Sequence, residues 1–358
     1  MNEEAGRASL AESFRRLIAS AGPMPIAHYM AEANARYYNA RDPLGQAGDF
    51  ITAPEVSQMF GELVGLWLAD IWLKAQRAGP LHYVELGPGR GTLARDALRA
   101  MKRYGVEPQV HLVEASQALR RIQQDRLEVE AVWHHDLSSV PDDGPILLVA
   151  NEFLDALPVR QLVRTAQGWR ERMVVPEGGR FACVAGERPM DAAVPEERRD
   201  AEEGTILETC PGAAAVVEEV ASRLASQQGA ALFIDYGYAQ AQTGSTLQAV
   251  KGHHKVDPFV DPGDADLSAL VDFATLARIA ENSGARWLGT VPQGQWLRAL
   301  GIELRADALA TFAPQHREEI MAAKDRLAGD EQMGALFKVM GLTHPAWPDG
   351  AGFAPHPV

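Results

Sequence analysis

The stretch Leu81-His-Tyr-Val-Glu-Leu-Gly-Pro-Gly-Arg-Gly-Thr-Leu-Ala-Arg-Asp-Ala-Leu98 constrains this chain most. A short apolar run ends in a glycine-rich turn and passes directly into a segment with Leu93, Ala97 and Leu98 at helical spacing. A strand, tight turn and helix in that order build a nucleotide-cofactor loop. Gly87, Gly89 and Gly91 let the backbone turn sharply, and the helix start offers unpaired N–H groups to an anion. Dinucleotide loops follow G-x-G-x-x-G and are made for a pyrophosphate. Here the spacing is G-x-G-x-G, with Glu85 two residues ahead of the first glycine. An acid there repels pyrophosphate and accepts hydrogen bonds from an ammonium group. S-adenosylmethionine has an ammonium, a carboxylate suited to a helix N-terminus, and no phosphate. The expected cofactor is therefore S-adenosylmethionine, held by Glu85, Gly87, Pro88, Gly89, Gly91 and Thr92.

A second apolar run, Val110-His-Leu-Val-Glu114, ends in an acid 23 residues past Gly91. An acid at the tip of the second strand of a doubly wound sheet reaches ribose hydroxyls, so Glu114 joins the expected cofactor set. Asp136, after the run Ala131-Val-Trp-His-His, suits either the adenine amino group or a solvated turn. The continuous apolar run Pro145-Ile-Leu-Leu-Val-Ala150 reads as a buried parallel strand. Ligands bind beyond the carboxyl ends of such strands, which puts Asn151, Glu152 and Asp155 near the reacting group. A fifth buried strand, 230–237, ends at Asp235 and Tyr236.

Around this core the pattern changes. Residues 9–38 read as helices broken at Gly22-Pro-Met-Pro25. The loop 41–55 carries Gly48, Asp49 and Phe50, and Thr52 with Glu55 has the spacing of a capping box before an apolar helix over 55–74. That helix suits a core position or a homodimer face. Segments 161–164, 169–175 and 180–184 alternate as antiparallel strands, and 246–266 reads as a long polar connection. The expected division is a helical extension over 1–75, a core over 76–160 and 205–358, and an antiparallel insertion over 161–204.

The formal net charge is −14, which argues against nucleic acid as a partner. Cys183 and Cys210 form no metal-type pair; of His253, His254 and Asp257 the two adjacent histidines point apart and no further ligand has suitable spacing, so no metal is expected. No apolar run reaches the length of a membrane span, and the acidic start has neither a signal nor a transit pattern; the chain reads as cytoplasmic.

Several segments together resemble the MidA-like methyltransferases, which include the mitochondrial arginine methyltransferase of complex I assembly. They are Gly48-Asp-Phe-Ile-Thr-Ala-Pro-Glu-Val-Ser-Gln-Met-Phe-Gly-Glu62, Val84 to Leu93, Asn151-Glu-Phe-Leu-Asp-Ala-Leu-Pro158, Asp235-Tyr-Gly237, His254 with Asp257-Pro, and Pro262-Gly-Asp-Ala-Asp-Leu267 with Val271-Asp-Phe273. Where many members carry Thr-Leu/Phe-Arg-Gly, this chain has Thr246-Leu-Gln-Ala249.

The resemblance implies a class I fold: a Rossmann-like, seven-strand, doubly wound α/β sheet with an N-terminal helical extension and a smaller inserted substrate-side subdomain. It also implies methylation of a protein arginine, with a complex I core subunit as the substrate class. In that chemistry Glu152 and Asp155 would grip the guanidinium, Asn151 would position it, Asp49 or Glu55 would close the site, and His254 would take the released proton. Competing readings are a small-molecule methyltransferase, a noncatalytic assembly factor that keeps the cofactor fold, and a nicotinamide-dependent oxidoreductase.

Overall fold

A computed structural model describes residues 9–40, 52–77, 79–252 and 254–353. These divide into two compact units. The smaller comprises 9–40, 156–212 and 242–270, and the larger 52–155, 213–241 and 271–353.

The larger unit is built on an eight-stranded sheet. Seven strands follow one another across it in the order Arg286–Pro292, Phe337–Thr343, Gly229–Tyr238, Ile146–Asn151, His82–Leu86, Gln109–Val113 and Ala131–His134. The eighth, Val271–Asp272, pairs with the end of strand 229–238. Strands 229–238, 146–151, 82–86, 109–113 and 131–134 are parallel, whereas 337–343 runs antiparallel between 229–238 and 286–292. In chain order this is 6-7-5-4-1-2-3, the doubly wound seven-strand arrangement expected, with its antiparallel seventh strand. Strands 82–86 and 146–151 are buried at every residue; the second is an unbroken apolar run as far as Ala150, and the first buries His82 and Glu85 with side-chain partners.

Helix Thr92–Lys102 buries Leu93, Ala94, Ala97, Leu98 and Met101, a stripe at helical spacing. The expected helix over 55–74 is two: Ala53–Val56, with Pro54 in its first turn, and Gln58–Ala75, whose N-cap Ser57 accepts from the Met59 amide. An extended Ser57 separates them, because its own side chain starts the second helix. Helix 58–75 is core, with Met59, Phe60, Leu63, Val64, Trp67, Leu68 and Ile71 buried.

In the smaller unit, helices Leu10–Ala21 and Ile26–Ala40 flank the expected break, and Ser9 with Glu12 closes a capping box. Strands Arg160–Thr165, Gly168–Glu177 and Arg180–Pro189 are antiparallel neighbours. Phe14, Tyr29, Phe181 and Phe259 pack as one aromatic cluster with centroids 5.1–6.0 Å apart. The connection 246–266 is more ordered than its polarity suggested. Gln248–Lys251, His254–Val256 and Asp266–Ser268 form a three-stranded sheet, anchored where the Leu267 amide donates to the Asn34 side chain at 3.0 Å. Backbone pairing needs no apolar alternation, which is why the sequence pattern concealed it.

Candidate functional site

The parallel strands end level with one another. Leu86 is in register with Val113 on one side and Ala150 on the other, and Asn151 with Ile234. Their carboxyl ends collect the glycine turn, Glu114, Asn151, Glu152, Asp155 and Asp235.

In the glycine turn, Gly87, Gly89 and Gly91 have φ of +62°, +53° and +77°. Gly91 caps helix 92–102 without any side-chain bond to the first-turn amides. Gln123, fully buried, donates to the Gly89 carbonyl at 2.7 Å and accepts from the Trp133 indole at 2.7 Å. Glu85 is buried behind the turn and accepts from the Tyr83 hydroxyl at 2.6 Å; burial pushes its carboxyl up to about 7, against the lowering effect of that bond. Glu114 accepts from the Ser116 amide at 2.8 Å, and burial raises its pKa above the usual range.

Thr92 donates its hydroxyl to Glu55, and the Arg126 guanidinium reaches Thr92 at 3.1 Å and Glu55 at 3.6 Å. The capping box expected of Thr52 and Glu55 is absent: Thr52 caps without a side-chain bond. A helix of four residues leaves Glu55 free to turn outward to Thr92, 37 residues away in sequence. Asp136 is exposed and accepts from the amide and hydroxyl of Ser138, which holds its carboxylate below the usual range.

Beyond strand 146–151, Glu152 adopts φ +51° and its Oε1 accepts from the Ala53 amide at 3.0 Å and the Asn151 side chain at 3.2 Å. Asn151 Oδ1 is buried without a partner among the described residues. Asp235 is buried, and burial, with Asp155 and Glu152 adding their negative charges, raises its pKa well above the carboxylate range. The same two carboxylates, after burial, raise the Tyr236 hydroxyl. Glu152, Asp155 and Asp235 thus form one electrostatic cluster.

His254 belongs to the smaller unit, exposed at the start of strand 254–256. Asp49, with Gly48 and Phe50, lies outside the described residues, as does His253. Among the described residues no group of histidine, cysteine or acidic side chains could hold a metal, and no helix is long and apolar enough to cross a membrane. Sequence reasoning missed Gln123, Arg126 and the bonding of Asp235. Gln123 and Arg126 are ordinary helix residues in sequence, and only strand order brings them to the glycine turn.

Residues 63–291 match the family described as "Putative S-adenosyl-L-methionine-dependent methyltransferase". A mouse protein named Protein arginine methyltransferase NDUFAF7, mitochondrial, is 37% identical over 365 residues, covering 91% of this chain and 82% of its own. The Drosophila melanogaster homolog is 37% identical over 381 residues, covering 95% and 86%. A Burkholderia thailandensis protein crystallised with S-adenosyl-homocysteine superposes with a TM-score of 0.81 at 31% identity, over 97% of this chain and 92% of that one. The mitochondrial names give no support to the expected cytoplasmic location. Strand order, glycine turn and these likenesses agree: the chain belongs to this family of S-adenosyl-L-methionine-dependent methyltransferases.

Proposed function

We propose that the chain methylates an arginine of a protein substrate, of the respiratory complex I subunit class. The observation that carries this is the cluster of Glu152, Asp155 and Asp235 at the strand ends, which raises the cost of each added negative charge and so favours a cationic acceptor. A guanidinium is a planar cation whose fork matches carboxylate geometry. The relatives named protein arginine methyltransferases support the same acceptor.

The chain's residues fit S-adenosylmethionine. Glu85, with its carboxyl near 7, gains an ammonium partner that would restore its charge. The uncapped amides of helix 92–102 suit a carboxylate, and Glu114 suits ribose hydroxyls. Gly87, Pro88, Gly89 and Gly91 line the turn, whereas Asp136, exposed and engaged with Ser138, is assigned to the adenine amino group by its place after the third strand alone. When bound, the cofactor supplies a methyl group on a sulfonium, already an excellent leaving group.

The protein therefore has to hold the acceptor in line and exclude water. Glu152 and Asp155 grip the guanidinium and draw its positive charge away from the attacking nitrogen, and the buried Asn151 Oδ1 offers an acceptor for one N–H. Glu55 acts through Thr92, holding the first turn of the cofactor helix. For proton uptake and closure the sequence offers His254 and Asp49.

The test is mass spectrometry of respiratory NADH-dehydrogenase subunits from cells with the chain, without it, and with Glu152→Gln. A methylated arginine is expected only in the first. An unchanged methylation pattern in all three would remove the proposed acceptor.

A further inference from the structure

Asp235 does more than end a strand. It is 1% exposed, and its Oδ2 accepts from three successive backbone amides: Phe153 at 3.2 Å, Leu154 at 2.9 Å and Asp155 at 3.2 Å. Oδ1 accepts from the Tyr236 amide at 2.9 Å. Three consecutive N–H groups converging on one oxygen form an anion-binding concavity, and here the anion is a side chain 80 residues further along the chain. The neighbouring residue is strained in the same direction. Glu152 sits at φ +51°, a region that side-chain-bearing residues occupy only when their surroundings impose it. What imposes it comes from the same strand, for the Glu152 amide donates to the Ile234 carbonyl at 2.9 Å.

We infer that Asp235 is a positioning residue: its carboxylate gathers the amides of Phe153, Leu154 and Asp155 into the turn that sets how Glu152 and Asp155 meet the cationic acceptor. It acts through these two and does not touch the acceptor itself. The inference rests on the arginine reading above. Burial and the neighbouring negative charges oppose ionisation of Asp235, and the four amide donors favour it. An asparagine in its place keeps one carbonyl oxygen for the three amides but turns an N–H towards the Tyr236 amide, a donor facing a donor, whichever protonation state Asp235 holds.

The experiment uses the full chain saturated with S-adenosyl-homocysteine and titrated with N-acetyl-L-arginine amide, beside Glu152→Gln, Asp235→Asn and Asp235→Ala. S-adenosyl-homocysteine affinity and Tm are measured for each. Asp235→Asn is expected to weaken the arginine probe roughly tenfold, about one lost hydrogen bond's worth, while S-adenosyl-homocysteine affinity stays within about threefold. Asp235→Ala should lose at least as much and speed amide exchange at 153–155. If Glu152→Gln weakens the probe but Asp235→Asn binds it as the wild type does, the positioning role is wrong and the arginine reading stands. If the wild type fails to bind the probe, or Glu152→Gln binds it equally, the arginine reading falls and takes this inference with it. Equal losses of probe and S-adenosyl-homocysteine in Asp235→Asn would make Asp235 a residue of folding alone.

Discussion

His82 Nδ1 and His111 Nε2 face each other at 3.0 Å inside the sheet, and the contact is one link of a row. His111 Nδ1 lies 3.0 Å from His134 Nε2, His134 Nδ1 lies 2.9 Å from the Ser139 hydroxyl, and His82 Nε2 lies 2.9 Å from Asp143. With Asp143 accepting at one end, each histidine protonated on Nε2 donates to the next acceptor, and the Ser139 hydroxyl donates into the last ring. The row is then satisfied without any charged imidazole.

An added proton must disturb it. Burial, with His82 and His134 as like neighbours, lowers the His111 pKa from 6.5 to about 4, and burial lowers that of His134. A histidine whose folded pKa is depressed contributes stability that is fully present above its unfolded value and is lost as pH falls towards the folded one. Urea unfolding should therefore show the chain losing up to about 3 kcal/mol between pH 6.5 and 4 from His111. His111→Leu should be less stable at pH 7.5, because it leaves ring nitrogens unpaired, yet its stability should fall less steeply over that window. Parallel pH profiles for the two proteins would exclude the row as the source.

Gly61 and Gly65, one helical turn apart on helix 58–75, set how closely that helix meets helix 92–102. A Cβ on Gly65 would stand 2.3 Å from the Ala97 carbonyl oxygen and 2.7 Å from its Cα, both backbone atoms with nowhere to yield. Helix propensity alone favours Gly65→Ala by about 1 kcal/mol. Overpacking against backbone opposes it by about 1–3 kcal/mol. We expect net destabilisation, read as a lower urea midpoint at unchanged slope; a raised midpoint would mean that the two helices can separate at little cost.

The sheet was legible because its strands are short, mostly apolar segments, continuous from Ile146 to Ala150, each followed by a turn or a helix. The order of those strands then brought Glu85, Glu114 and Glu152 to one edge without further information. What stayed hidden depends on pairing across the sheet. His82, His111 and His134 are unremarkable singly and form a row only because strands 82–86, 109–113 and 131–134 are neighbours. Glu55 fitted a local cap equally well in sequence; its partner Thr92 is a long-range choice that capping rules cannot weigh.

The glycine turn and the Glu152 turn meet at one contact. A Cβ on Gly87 would lie 2.8 Å from Phe153 Cδ2, and the residue's φ of +62° already disfavours a side chain. Gly87→Ala therefore presses on Phe153, whose amide is one of the three held by Asp235, and it strains the turn that receives the cofactor. We expect S-adenosyl-homocysteine affinity to fall at least about tenfold, the equivalent of some 1.4 kcal/mol of strain appearing at the site. Gly105 provides the comparison: its φ is +74° but a Cβ there meets nothing within 4 Å. Gly105→Ala should cost a little stability and leave S-adenosyl-homocysteine binding unchanged. Calorimetric titration of both variants decides the matter, because equal affinities would mean that the turn at Gly87 relaxes and that Phe153 moves aside without consequence for the cofactor.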